Sequence, residues 1–126
     1  MLIDTHGLIW FLEDNSRMSR RALEVAEDQD THLFVSLASL WEMAIKVRLG
    51  KLNLVGDYHA FVLEQLTRND IEVLGISLEH VIQTASLPLF HRDPFDRLLV
   101  AQAIVENMPI ISADMSLEAY PVTRIW

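Results

Sequence analysis

Five acidic residues in this chain stand where chemistry could use them. Asp4 closes the apolar opening "MLID", and Asp114 closes a second apolar run, "PIISAD". Asp93 and Asp96 lie three residues apart in "HRDPFDRLLVAQA", and Glu42 sits inside "SLWEMAIK". Each has a plain structural use. Asp4 or Thr5 suits a helix N-cap. Glu42 follows Ser39 at the capping-box spacing and precedes Lys46 by four, the spacing of a helical ion pair. Asp93 before Pro94 is a strong N-cap signal. Asp96 then falls in the first turn, where negative charge suits the helix dipole. Asp114, shortly before Ser116, fits a turn or cap. These uses do not explain why acids should mark the ends of separate elements. Carboxylates held together repel one another, and the usual compensation is a hard divalent cation with oxygen ligands. Mg²⁺ or Mn²⁺ binds substrate phosphate and activates water, so the chemistry indicated is metal-dependent hydrolysis of a phosphate ester.

Other chemistries fit worse. The chain has no cysteine, which removes disulfides, thiolate metal sites and thiol nucleophiles. His6, His32, His59, His80 and His91 show no zinc-protease spacing. His6 and His91 lie near the acids and read as structural or supporting residues rather than catalytic ones. No G-x-S-x-G elbow and no glycine-rich phosphate loop occur. A net charge of −8 argues against a simple nucleic-acid-binding module, because polyanions are repelled. It leaves room for an enzyme whose acids are neutralised by bound metal. A phosphoacceptor receiver domain needs paired acids after its first strand and a late lysine. Here Thr5 follows Asp4, and no lysine follows Lys51. A D-x-D phosphatase fails because position 6 is His.

The elements that must position these acids alternate along the chain. "MLIDTH", "THLFVS", "IEVLGI", "PIISAD" and "VTRIW" read as short strands. Between them lie helical segments: "GLIWFLED", "RRALEVAEDQ" capped by Ser19, "LASLWEMAIKVRLGKL", "DYHAFVLEQLTRND", "LEHVIQTASL" capped by Ser77, and "PFDRLLVAQAIVENM". "SLEAYP" reads as a short helical turn. In the third helix Leu37, Leu40, Trp41, Ala44, Ile45 and Leu49 are expected to face inward; in the fourth, Phe61, Leu63 and Leu66. Short, continuously apolar strands are expected where helices cover both faces of a parallel sheet. The fold class is therefore an α/β/α three-layer sandwich with a central, mostly parallel sheet of about five short strands, in a single domain spanning 1–126. In such sheets ligands bind beyond the carboxyl ends of the strands, where Asp4 and Asp114 lie. No signal-peptide pattern opens the sequence and no apolar run approaches the length of a membrane span, so a cytoplasmic protein is expected.

"LIDTHGLIWFLED", "FVSLASLWEMAIKVRLGKL", "HRDPFDRLLVAQA" and "IISADMSLEAY" together resemble the PIN-domain ribonucleases, most of all the VapC-type toxins of bacterial toxin–antitoxin pairs. The resemblance runs in order along essentially the whole chain, carried by these four separated blocks. The resemblance implies three near-invariant acids and a fourth, less regular one, binding Mg²⁺ or Mn²⁺. By position these are Asp4, Glu42, Asp96 and Asp114. Asp93 is an extra acid of this branch that caps the helix or helps hold a metal-bound water. Thr5 and Ser112 match the small hydroxyl residues that support the acids. The resemblance further implies an RNA substrate, a homodimer, and a cognate antitoxin whose C-terminal segment covers the site. Lys46, Arg48, Arg92 and Arg97 flank the acids and could grip an RNA backbone; ordinary surface charge is their bland alternative. A PIN-like scaffold that binds partners without cutting is the rival reading, and the presence of all four acids argues against it.

Overall fold

The computed structural model describes residues 1–126. Strand β1 is Leu2–Ile3, and helices α1 (Thr5–Leu12) and α2 (Arg20–Glu27) follow. Strand β2 (Leu33–Ser36) runs directly into α3 (Leu37–Arg48). Then come α4 (Tyr58–Arg68), β3 (Ile71–Leu74), α5 (Leu78–Ser86), α6 (Pro94–Val105) and β4 (Ile110–Ile111). A 3-10 turn at Met115–Ala119 leads to β5 (Arg124–Ile125). The sheet has five strands in the order β3-β2-β1-β4-β5, and every pairing is parallel.

The strand residues alternate between the two faces, as the period of two requires. Ile3 and Ile111 enter a core that includes Leu8, Met18, Ala22, Val35 and Met43. Their neighbours Leu2 and Ile110 enter the opposite core, with Leu87, Leu99, Val100, Ala103 and Leu117. Because both faces are covered, β1 and β4 must be apolar at every position. This is the expected α/β/α sandwich.

Short polar side chains fix the helix starts. Asp4, Ser19, Ser36, Asp57, Ser77 and Asp93 each cap a helix by accepting an amide of its first turn. At α5 the box is closed by an unusual partner: Ser77 Oγ accepts from His80 N, and His80 Nδ1 accepts from Ser77 N. Ser39 does not cap α3. The true cap is Ser36, whose Oγ accepts from Ala38 N at 3.0 Å. Ser39 lies inside the helix, with its hydroxyl buried and unpartnered.

The inward face of α3 also differs from expectation. Ala38, Ser39 and Met43 are buried, while Leu37, Trp41, Ile45 and Leu49 are exposed, Trp41 at 63%. Only Leu40, of the large residues expected inside, packs against a core. The helix carries apolar residues around much of its circumference, so periodicity does not single out one stripe. Small side chains let it lie close to its neighbours instead. On α4, Phe61 and Leu66 pack inward as expected, but Leu63 is exposed.

Candidate active site

The centre lies at the carboxyl ends of β1 and β4. The register that pairs Ile3 with Ile111 places Asp4 beside Ser112, and the Asp4 amide donates to Ile111 O at 3.0 Å. Asp4 Oδ1 accepts from Gly7 N at 2.6 Å, and Ser112 Oγ donates to Asp4 Oδ2. The same Ser112 oxygen accepts from the Asp114 amide at 3.1 Å, so one hydroxyl ties the two strand ends together. A side chain on Gly7 would place its Cβ 2.9 Å from Asp4 Oδ1 and 3.2 Å from Ile3 Cγ1. Only glycine leaves room for this carboxylate. Thr5 is buried beside it, and its hydroxyl has no partner within the protein.

Burial pushes the Asp4 carboxyl above its ordinary range, against the opposing pull of Ser112, Gly7 and His6, and the nearby Asp114 charge adds to the rise. Asp114 shows the opposite balance. Burial raises it, but hydrogen bonds from Ser116 and His91 outweigh burial and hold it low.

The helices supply the remaining acids. Asp93 Oδ1 accepts from the amides of Phe95 at 2.8 Å and Asp96 at 3.2 Å, so it is the N-cap that its position before Pro94 indicated. Asp96, one turn in, is pushed up to about 7 by burial first, then by the charges of Asp93, Glu42 and Asp4, with His91 pulling the other way. These mutual effects place Asp4, Glu42, Asp93 and Asp96 within electrostatic reach of one another. Asp114 joins through Asp4 and His91. Glu42 is half-buried and pairs with Lys46 at 3.4 Å.

His91 enters the centre more directly than its sequence position suggests. Its Nε2 lies 2.8 Å from Asp114 Oδ2 and 3.3 Å from Asp96 Oδ2. Its spacing to Asp93 and Asp96 was visible in "HRDPFD"; its distance from Asp114, 23 residues on, was not.

The flanking cations divide. Lys46 is engaged with Glu42. Arg48 and Arg92 are exposed. Arg97 turns its guanidinium onto backbone: Nη1 donates to Pro88 O at 2.9 Å, and Nη2 to Thr84 O at 2.9 Å and Leu87 O at 3.2 Å. Those donors are committed to the segment that carries His91. Trp41, next to Glu42, is steadied edge-on by Phe95 at a centroid distance of 5.4 Å.

A parallel α/β sheet with carboxylates gathered beyond its strand ends defines a class of domain whose chemistry sits at an acidic crevice. The particular family is also shown: residues 1–122 match the PIN domain, and the chain belongs to that family. Ribonuclease VapC22 of Mycobacterium tuberculosis is 28% identical over 131 residues, covering 100% of this chain and 98% of that protein. In fold the chain is similar to VapBC2 from Rickettsia felis, solved bound to a DNA fragment from its promoter. That likeness has a TM-score of 0.72 at 15% identity, covering 98% of this chain and 95% of that one. It is also similar to a chain of FitAB bound to the IR36 DNA fragment, with a TM-score of 0.66 at 18% identity, covering 98% and 92%. A toxin–antitoxin complex from Klebsiella pneumoniae gives a TM-score of 0.61 at 19% identity, covering 90% and 85%.

Proposed function

We propose that this protein is a Mg²⁺- or Mn²⁺-dependent endoribonuclease, the toxin of a toxin–antitoxin pair. The observation that carries the reading is the convergence of like charges: Asp96 is driven to about 7 in part by Asp93, Glu42 and Asp4. A cluster that raises its own members' proton affinity is poised to exchange that proton for a cation. The donor set fits a hard divalent ion, since the acids offer oxygen only.

Asp4 and Asp96 would hold the principal ion, and Glu42 and Asp114 would bind a second or orient the attacking water. Bound there, the ion supplies Lewis acidity and an activated water for in-line attack on the phosphodiester. The chain's own part is positional. Ser112 and Gly7 fix the Asp4 carboxylate, and Asp93 fixes where α6 begins and so where Asp96 stands. Lys46 balances Glu42. Arg48 and Arg92 are free to meet the RNA backbone, and the buried Thr5 hydroxyl, unpartnered in the protein, is left to support the acids through a metal-bound water.

Membership of the PIN family and the likeness to VapC22 support the ribonuclease reading. The toxin–antitoxin complex from Klebsiella pneumoniae among the structural neighbours supports a cognate antitoxin as partner. The toxin is read as a homodimer acting in the cytoplasm, one domain spanning 1–126. No helix is long and apolar enough to cross a membrane. The test is incubation with a panel of structured RNAs in Mg²⁺ or Mn²⁺, then in EDTA, beside Asp96→Asn. Metal-dependent cleavage lost in the variant is expected. Cleavage that survives EDTA or the substitution would sink the metal–carboxylate mechanism. No cleavage and no metal binding would favour a partner-binding scaffold.

A further inference from the structure

We propose that His91 is a positioning residue, which aims the Asp114 carboxylate through its Nε2–H beside Asp96 and is not itself a metal ligand. The inference rests on the metallonuclease reading above and concerns how this chain arranges its acids. At first sight the geometry invites the opposite assignment. The ligand atoms of His91, Asp96 and Asp114 all lie within 4.8 Å of one another, as three ligands of one ion would.

The hydrogen bond on the other side of the ring decides between the two. His91 Nδ1 faces the backbone amide of Asp93 at 3.1 Å. A backbone amide can only donate, so Nδ1 presents its lone pair. The ring hydrogen then stands on Nε2, which donates to Asp114 Oδ2 at 2.8 Å and itself lies 3.3 Å from Asp96 Oδ2. To bind a cation through Nε2, the hydrogen would have to move to Nδ1, where it would meet the Asp93 N–H head-on. That arrangement leaves a partly buried amide without an acceptor, which is costly.

The clamp extends to the backbone. The His91 amide donates to Tyr120 Oη at 2.8 Å, and the Tyr120 hydroxyl donates to Pro88 O at 2.9 Å. Arg97 holds the carbonyls of Thr84, Leu87 and Pro88 on the same segment. The ring is thus fixed at both nitrogens and along its main chain. Asp93 gains a second duty here. Its side chain sets the start of α6, and its amide sets the tautomer of the residue that holds Asp114 beside Asp96.

Two measurements test this. In ¹⁵N-labelled protein, the two-bond ring correlations of His91 report its tautomer; the Nε2–H form is expected in EDTA and again with saturating Mg²⁺. Mn²⁺ affinity, read by titration with electron paramagnetic resonance, should fall about tenfold or more in His91→Ala, as for other residues that orient metal ligands. His91→Gln, whose amide nitrogen can stand near Nε2, should recover most of that loss. His91→Asn, too short to reach Asp114, serves in place of His91→Ala if the latter does not fold. Loss of the Nε2 hydrogen on Mg²⁺ binding would make His91 a ligand and overturn the proposal. Native Mn²⁺ affinity in His91→Ala would overturn it equally. Wild-type protein that binds no Mn²⁺ would bring down the metallonuclease reading itself, a different and distinguishable failure.

Discussion

The acidic centre has two halves built on different principles. At the strand ends, Asp4 is buried and met by neutral donors, Gly7 N and Ser112 Oγ, like any satisfied polar group of a core. On the helix side, Asp96 keeps about a third of its side chain exposed and is surrounded by other acids, with His91 its one opposing influence. One half is complete as the protein folds; the other stores repulsion that a cation would relieve. A binding site can therefore combine a fully satisfied anchor with a half whose helix holds its acid against other acids.

The largest effect expected is on catalysis, and it should not distinguish the halves. Asp4→Asn and Asp96→Asn are each expected to cut metal-dependent RNA cleavage by roughly 10³-fold, the scale of losing a charge-stabilising group. Thermal melts in EDTA should then separate them. Asp96→Asn removes a repelled carboxylate and should raise the melting temperature, whereas Asp4→Ala loses a helix cap and a buried hydrogen bond and should cost about 1–3 kcal/mol. Shifts of the same sign in both would break the comparison.

Gly7→Ala should behave like damage to the anchored half. The gain in helix propensity, about 1 kcal/mol, is set against a methyl forced onto Asp4 Oδ1, an overpacking cost of about 1–3 kcal/mol. Lower stability and weaker Mn²⁺ binding are both expected, from denaturant melts and titration. On the other half, Arg97→Ala should destabilise by about 1–3 kcal/mol through the carbonyls it abandons, while Arg92→Ala should stay within about 0.5 kcal/mol. A pair of equal effects would contradict the structural assignment of Arg97.

The gentlest probe is pH. Asp96 has its folded value raised from 3.8 to about 7, so between those values the folded protein holds a proton that the unfolded chain releases. By linkage, stability in EDTA should rise as pH falls from about 8 toward 4.5. Asp4, raised as well, acts in the same direction. Asp114, held low, opposes them only in the more acidic range, where its stabilisation is lost. Saturating Mg²⁺ should flatten or reverse the trend, and a rising stability with pH in EDTA would mean the helix half is not repelled as described.

Much of this was legible in the sequence because it is local. Asp93 before Pro94 announced its cap, Ser19 and Ser77 announced theirs, and the apolar doublets of β1 and β4 marked strands covered on both faces. What failed depended on which way a helix turns. The spacing of Ser39 to Glu42 imitates a capping box, but the cap of α3 stands three residues earlier at Ser36, the last residue of the strand. The same helix buries Ala38 and Met43 and leaves Trp41 outside, a choice made by close approach rather than by hydrophobic content. His91 was undervalued because its decisive partner, Asp114, comes from another element. Pairings of that reach follow from topology, not from spacing.

The tie between Ser112 and Asp4 also sets a schedule. The two residues are 108 positions apart in sequence, and β4 pairs alongside β1. At about 5–20 residues per second of synthesis, roughly 5–20 seconds separate the making of Asp4 from the making of the hydroxyl that holds it. Through that interval a growing chain can assemble β1, β2 and their helices, but the anchor of its acidic centre is not yet in existence. The acid that ends the first strand thus folds first onto Gly7 alone and gains its second partner only when nearly the last strand has been made.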